Sequence, residues 1–171
     1  MLLALGEAPV STIPKPLDQL YTAHHAMVFR TAHRITGNAE DAEDVLQTVF
    51  LRLLRRESTA EIDNPESYLR RSAVNAALDI VRARQADNTL ELERMPASGS
   101  CTELRDLRDT LRRSLAKLPE RTAEMFAQRF FEGYTNPEIA KIMNLSQIVV
   151  AVTVHRTRKK LQDELKKGAA R

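Results

Sequence analysis

Residues 146–161 read SQIVVAVTVHRTRKKL, and whether they form a strand or a helix decides the class of fold. The first half has the β-branched composition of a buried strand. Yet Val150, Val154, Thr157 and Leu161 fall four, three and four residues apart, a helical seam that passes unbroken from the valines into the basic run. Ser146 stands where a helix cap belongs, and the helix prevails on length and capping. Just upstream, Thr135-Asn-Pro-Glu138 has the form of a capping box. It opens a short helix holding Ile139, Ala140 and Ile142 that ends near Asn144, a residue tolerant of left-handed backbone. Short helix, tight turn and capped second helix form the helix-turn-helix pattern, whose second helix enters the major groove of DNA. His155, Arg156, Arg158, Lys159 and Lys160 supply charge suited to phosphates. The plainer reading of the same residues is a basic terminal helix of a bundle.

Helical periodicity extends over nearly all the remaining chain, so the expected class is all-α. Leu17, Leu20, Tyr21, His24, Val28 and Ile35 step by threes and fours, and Gly37 supplies a left-handed stop. Asn38 caps the next helix, with Asp41 placed as in a capping box and Glu40, Glu43 and Asp44 adding negative charge to its positive end. Its apolar face is Ala42, Val45, Leu46, Val49, Phe50, Leu53 and Leu54, which puts Asp41, Asp44, Gln47, Thr48 and Arg52 on other faces. RRESTAEIDN, residues 55–64, reads as a loop. Asn64 before Pro65 opens a third helix to about Gln85, with Leu69, Ala73, Ala76 and Ile80 inward. ADNTLELERMPASGS, residues 86–100, has no sustained period and gathers Pro, Gly and Ser, as linkers do. After it come a stripe of Leu104, Leu107, Leu111, Leu115 and Leu118, then a helix from Pro119 that carries Phe126 and Phe130 and stops at Gly133. The expected organisation is a loose tail at 1–16, a helical bundle at 17–85, a flexible linker at 86–102 and a helical domain at 103–171.

Composition narrows the class of function. A chain of 171 residues, 43% apolar and 29% charged, suits one or two small cores and is too charged for a membrane protein. No apolar run is long enough to span a bilayer, and the opening residues lack the basic start and long apolar centre of a secretion signal. Cys101 is the single cysteine; it falls in the linker and suits a reducing cytoplasm. Residues 1–103 hold 11 Lys and Arg against 15 Asp and Glu, a net −4, whereas 104–171 hold 15 against 8, a net +7. The second half thus suits a polyanion and the first a different partner. No glycine-rich phosphate loop and no nucleophile with its base is evident, so neither enzyme activity nor a cofactor is expected. His24 and His25 are adjacent and diverge on a helix, which leaves them unsuited to share a metal.

Two stretches carry a resemblance. GNAEDAEDVLQTVFLRLLRR from Gly37, followed by NPESYLRRSAVNAALDIVRARQ from Asn64, resembles the region-two domain of bacterial RNA polymerase sigma factors of the extracytoplasmic-function group. LRRSLAKLPERTAEMFAQRFFEGYTNPEIAKIMNLSQ from Leu111 is similar to their region-four domain. The resemblance implies an alternative sigma factor that binds core polymerase, directs it to promoters and helps to open the minus-ten region. It implies that Asp41, Asp44, Gln47 and Arg52 dock on the clamp helices of the beta-prime subunit, with region four on the beta flap. It further implies that Tyr68, Arg70, Arg71, Asn75, Arg82 and Arg84 face the opened minus-ten strand, where arginine holds phosphate, asparagine reads a base edge and an aromatic ring stacks. Many relatives have tryptophan where Tyr68 stands. The minus-thirty-five set would be Ser146, Gln147, Val149, Val152, His155, Arg156, Arg158 and Lys159, and an anti-sigma factor would be a further partner.

The valine run departs from that family. Ile148, Val149, Ala151 and Val152 occupy positions where relatives present polar or basic groups. Aliphatic side chains touch thymine methyls but make none of the bidentate bonds that distinguish guanine or adenine. Weak or shape-driven readout, or a surface covered by a protein partner, is expected there. The rival function is a stand-alone helix-turn-helix regulator, which leaves the upstream acidic and amide helix without a purpose.

Overall fold

The computed structural model describes residues 15–55, 62–90 and 102–169. They form α1 (Lys15–Thr36), α2 (Ala39–Leu54), α3 (Pro65–Leu90), α4 (Thr102–Ala116), α5 (Glu120–Phe130), α6 (Asn136–Met143) and α7 (Gln147–Ala169), with no strand among the described residues. Helices α1, α2 and α3 pack on one another, α5, α6 and α7 form a second group, and α4 and α5 both rest on α3.

The valine run is helical. Val150, Val154, Thr157 and Leu161, the seam read from spacing, are all buried, at 0%, 7%, 5% and 2% exposure. Tertiary burial of one face overrides the modest helix propensity of the β-branched residues. At the start of α6, Glu138 Oε2 accepts bonds from the Thr135 amide at 2.7 Å and from its hydroxyl at 2.6 Å. These bonds hold the Glu138 carboxyl below its ordinary pKa. Asn144 ends α6 in left-handed backbone, φ 52° and ψ 53°. Ser146 Oγ then accepts the Val149 amide at 3.3 Å, and α6 and α7 meet at 112°.

Helix α5 has apolar contacts on two sides, which explains how the halves join. Ala123, Glu124, Met125, Phe126, Ala127 and Gln128 are consecutively buried. Met125 packs into a small cluster with Ile139, Ala140, Met143, Val150 and Val154. Ala123, Phe126 and Ala127 belong instead to the larger core, which holds Val28, Ile35, Val45, Leu53, Leu69 and Leu78 of the first three helices. Each large side chain buried there contributes roughly 1.5–3 kcal/mol.

Several expectations change. Helix α3 runs to Leu90, past the expected end at Gln85, because no Gly or Pro interrupts residues 86–90. The leucine stripe of α4 is buried only at its end: Leu115 is 1% exposed but Leu104 is 68% and Leu107 44%, since the start of the helix reaches beyond the core. Leu54, at the last turn of α2, is likewise exposed. The tail at 1–14, most of the loop before Asn64, and linker residues 91–101 with Cys101 lie outside the described residues.

The left-handed turn at Asn144 gives a direct test of how α6 and α7 are joined. Asn144→Gly is expected to keep the urea midpoint near its original value, whereas Asn144→Val is expected to cost about 1–2 kcal/mol because a branched Cβ crowds the following carbonyl in that conformation. Equilibrium urea unfolding of the two variants checks it.

Candidate functional site

On α7, packing and exposure divide the residues sharply. The buried seam turns Gln147, Ile148, Val149, Val152, His155, Arg156, Arg158 and Lys159 to the surface, with Ser146 exposed at the cap. Ile148 is 76% exposed, Val149 47% and Val152 42%, so the N-terminal half of this helix presents aliphatic groups and the C-terminal half cations. All the residues expected to read DNA here lie in one stretch of accessible helix.

On α2 the expected polar face splits. Asp44, Gln47 and Arg52 are exposed, and Gln47 lines a groove between α1 and α2 with Tyr21, His25, Phe29, Glu43 and Leu46. Asp41 departs from the expected exposed face, being only 5% exposed. Its backbone amide donates to Asn38 Oδ1 at 2.8 Å, and its carboxylate accepts from Asn38 Nδ2 at 2.8 Å and pairs with Arg84 at 2.7 Å. A negative charge in the first turn of a helix suits the helix dipole there, and a partner across the bundle fixes it. Arg84, expected against DNA, therefore ties the end of α3 to the start of α2.

The remaining residues expected at the minus-ten strand lie along α3 but face differently. Tyr68 is half-buried and packs against the larger core. Asn75 Oδ1 and Arg82 Nη2 are buried without a hydrogen-bond partner among the described residues, while Arg82 Nη1 reaches Asp79 at 3.2 Å. Arg70 and Arg71 point at α5 and the residues that follow it. Arg70 Nη1 donates to Glu132 Oε2 at 2.7 Å and Nη2 to Glu66 Oε1 at 2.7 Å. Burial pulls the Arg70 pKa down, but the bonds to Glu132 and Glu66 outweigh it and leave the pKa raised. Arg71 Nε donates to Glu124 Oε1 at 2.6 Å and Nη1 to the Ile142 carbonyl at 3.2 Å, near the end of α6.

Sequence reasoning missed the acceptors of these bonds. The Glu132 side chain has no exposed surface and also pairs with Arg34 at 3.4 Å; Arg34 Nη1 reaches the Phe131 carbonyl as well, at 3.2 Å. Glu124 is 4% exposed and takes a further bond from Gln128 Nε2 at 3.1 Å. Arg112 of α4 closes another seam by donating to the Ile35 carbonyl at 3.0 Å. Its guanidinium occupies the space a Cβ on Gly37 would need, and Gly37 has φ +82°. The available signal was Met125, an apolar residue on the side of α5 opposite Ala123, Phe126 and Ala127. Among the described residues no three His, Cys, Asp or Glu side chains are grouped to hold a metal ion.

Comparison with known proteins follows the same division. Residues 20–86 match the Sigma-70 region 2 model and residues 108–161 match the Sigma-70, region 4 model. The chain is 30% identical over 141 residues to the RNA polymerase sigma-E factor of Streptomyces coelicolor, covering 81% of this chain and 79% of that protein. It is 29% identical over 164 residues to the ECF RNA polymerase sigma factor SigE of Mycolicibacterium smegmatis, covering 90% of this chain but only 63% of the relative. The same fold occurs in the sigma factor RpoE of Bartonella quintana, solved in complex with the anti-sigma factor NepR, with TM-score 0.53 and 19% identity over 89% of this chain and 98% of that one.

Burial separates Asp41 from its neighbours in what substitution will do. Asp41→Ala, which removes the carboxylate that steadies the cap Asn38 and pairs with Arg84, is expected to lower stability by about 1–2 kcal/mol. Asp44→Ala and Gln47→Ala are expected to stay within about 0.5 kcal/mol of the unsubstituted protein in the same urea titration.

Proposed function

We infer the function from one premise: the chain belongs to the extracytoplasmic-function group of sigma factors. It is an alternative sigma factor, a non-catalytic subunit that joins core RNA polymerase, directs it to particular promoters and helps to open the minus-ten region. The observation that carries this reading is the pairing, in order, of a region-two and a region-four domain in one chain. A stand-alone helix-turn-helix regulator has no use for the first of these.

Within that reading, α2 docks on the beta-prime clamp helices through Asp44, Gln47 and Arg52, with Asp41 holding the helix rather than touching the partner. Short polar groups on a rigid helix suit a docking face whose orientation matters. Region four contacts the beta flap and sets α7 in the minus-thirty-five major groove. Arg156, Arg158 and Lys159, with His155, hold phosphates and set the register; Gln147 and Ser146 bond to base edges or backbone; Ile148, Val149 and Val152 touch thymine methyls. Readout at minus thirty-five thus favours thymine-bearing steps and tolerates exchange of guanine. On α3, Arg70, Arg71 and Arg82 hold the displaced strand and Asn75 and Tyr68 meet an extruded base, so that affinity for the unpaired strand favours the opened duplex. Arg84 serves α2 instead. The site of action is the cytoplasm, which accords with the absence among the described residues of any single helix long and apolar enough to cross a membrane. An anti-sigma factor that covers these faces completes the set of partners, and the exposed aliphatic groups of α7 suit such a cover.

Transcription by purified core polymerase from the source bacterium, on fragmented genomic DNA with and without the protein, tests the function. New starts sharing a minus-ten-like element are expected, and no new starts under conditions where another sigma factor works would overturn it. Replacing Val149 and Val152 together by alanine is expected to reduce initiation by roughly five- to ten-fold at starts with thymine-rich minus-thirty-five steps, as lost methyl contacts imply. Unchanged preference would remove these residues from direct readout.

A further inference from the structure

We propose that Glu124 and Glu132 occupy Arg70 and Arg71 in place of nucleic-acid phosphate, so that the free chain masks its own minus-ten surface. The inference rests on the reading of α3 as that surface. Bonds of 2.6 and 2.7 Å from guanidinium to carboxylate are charge-assisted, the same kind that arginine makes to phosphate. The donors are committed: Arg70 gives one nitrogen to Glu132 and another to Glu66, and Arg71 gives Nε to Glu124 and Nη1 to the Ile142 carbonyl. Access to Arg70 is reduced as well, its side chain being 21% exposed, whereas Arg71, 42% exposed, is held by its bonds alone.

The placement is not a loose surface encounter. Glu132 and Glu124 are themselves buried, and an unpaired buried carboxylate is costly, so the acids hold the arginines as firmly as the arginines hold them. Arg34 to the Phe131 carbonyl and Arg112 to the Ile35 carbonyl fasten the same two halves at other points. Phosphate takes the nitrogens now bonded to Glu132 and Glu124 only when region four moves off α3. Core polymerase, by engaging the two halves at separate places, supplies the free energy for that exchange.

The test compares the unsubstituted chain with Glu124→Gln/Glu132→Gln, with Arg112→Ala, and with the Gln pair carrying Arg70→Ala/Arg71→Ala in addition. Binding to a fluorescein-labelled single-stranded DNA pool of mixed sequence is followed by anisotropy over a range of salt, and the radius of gyration is followed by small-angle X-ray scattering. The Gln pair is expected to expand the particle, to bind the pool about ten-fold more tightly, and to steepen the log–log salt dependence by about 1.4, or about 0.7 for each phosphate regained on a single strand. Arg112→Ala is expected to give part of the gain with every acid and α3 arginine intact. Adding the two arginine substitutions is expected to abolish the gain, which binding through α7 alone would not do. An expanded particle without tighter binding overturns the mask, as does a gain that survives loss of Arg70 and Arg71. Neither expansion nor gain in either the Gln pair or Arg112→Ala also overturns it, because these contacts then do not hold the halves. Genomic transcription by the unsubstituted protein with core polymerase stands apart from all of these results and tests the sigma-factor reading by itself.

Discussion

A carboxylate with no exposed surface has to be neutralised where it stands, and much of the arrangement follows from meeting that need at Glu132. Arg34 on α1 and Arg70 on α3 converge on it. Their convergence fixes the end of α5 over the groove between two helices of the other domain. Glu124, two turns earlier, repeats the device with Arg71. Isolated surface ion pairs contribute little, but pairs whose acid is buried set register, because displacement leaves a charge without water or partner.

Around these points the apolar surface of α5 is divided. One side seats the helix-turn-helix through Met125, and the other enters the core of the first three helices through Ala123, Phe126 and Ala127. The angle between α6 and α7 is set by local chemistry, the capping box at Thr135 and the left-handed Asn144. The position of both relative to α3 is set by long-range contacts. Arg71 belongs to both systems, since it binds Glu124 and the Ile142 carbonyl close to the turn.

What was legible in the sequence was local and periodic. The seam of α7, the cap at Asn38, the box at Thr135 and the stop at Asn144 depend on neighbours within a turn or two, and spacing reveals them. The polar face of α2 was legible only in part. Spacing places Asp41 on a side away from the apolar stripe, but Arg84, 43 positions along the chain, folds back to cover it. The burial of Glu124 and Glu132 was not legible, because an acid on a helix reads as solvent-facing unless its cationic partners, 53 and 62 residues away, are known to arrive. The leucine stripe of α4 shows the converse error: the period was right, but among the described residues none covers the start of the helix.

The shared core has a consequence for handling and for evolution. Leu115, Leu118, Ala123, Phe126, Ala127 and Leu161 belong to the same apolar cluster as the first three helices. If the chain is cut between α3 and α4, or if the halves are drawn apart, that surface becomes wet and adhesive. Each fragment then tends to self-associate, and any assembly that uses the halves separately must bring a replacement apolar cover. Mutational drift along this seam is accordingly constrained twice, by solubility when the halves are apart and by fit when they are together.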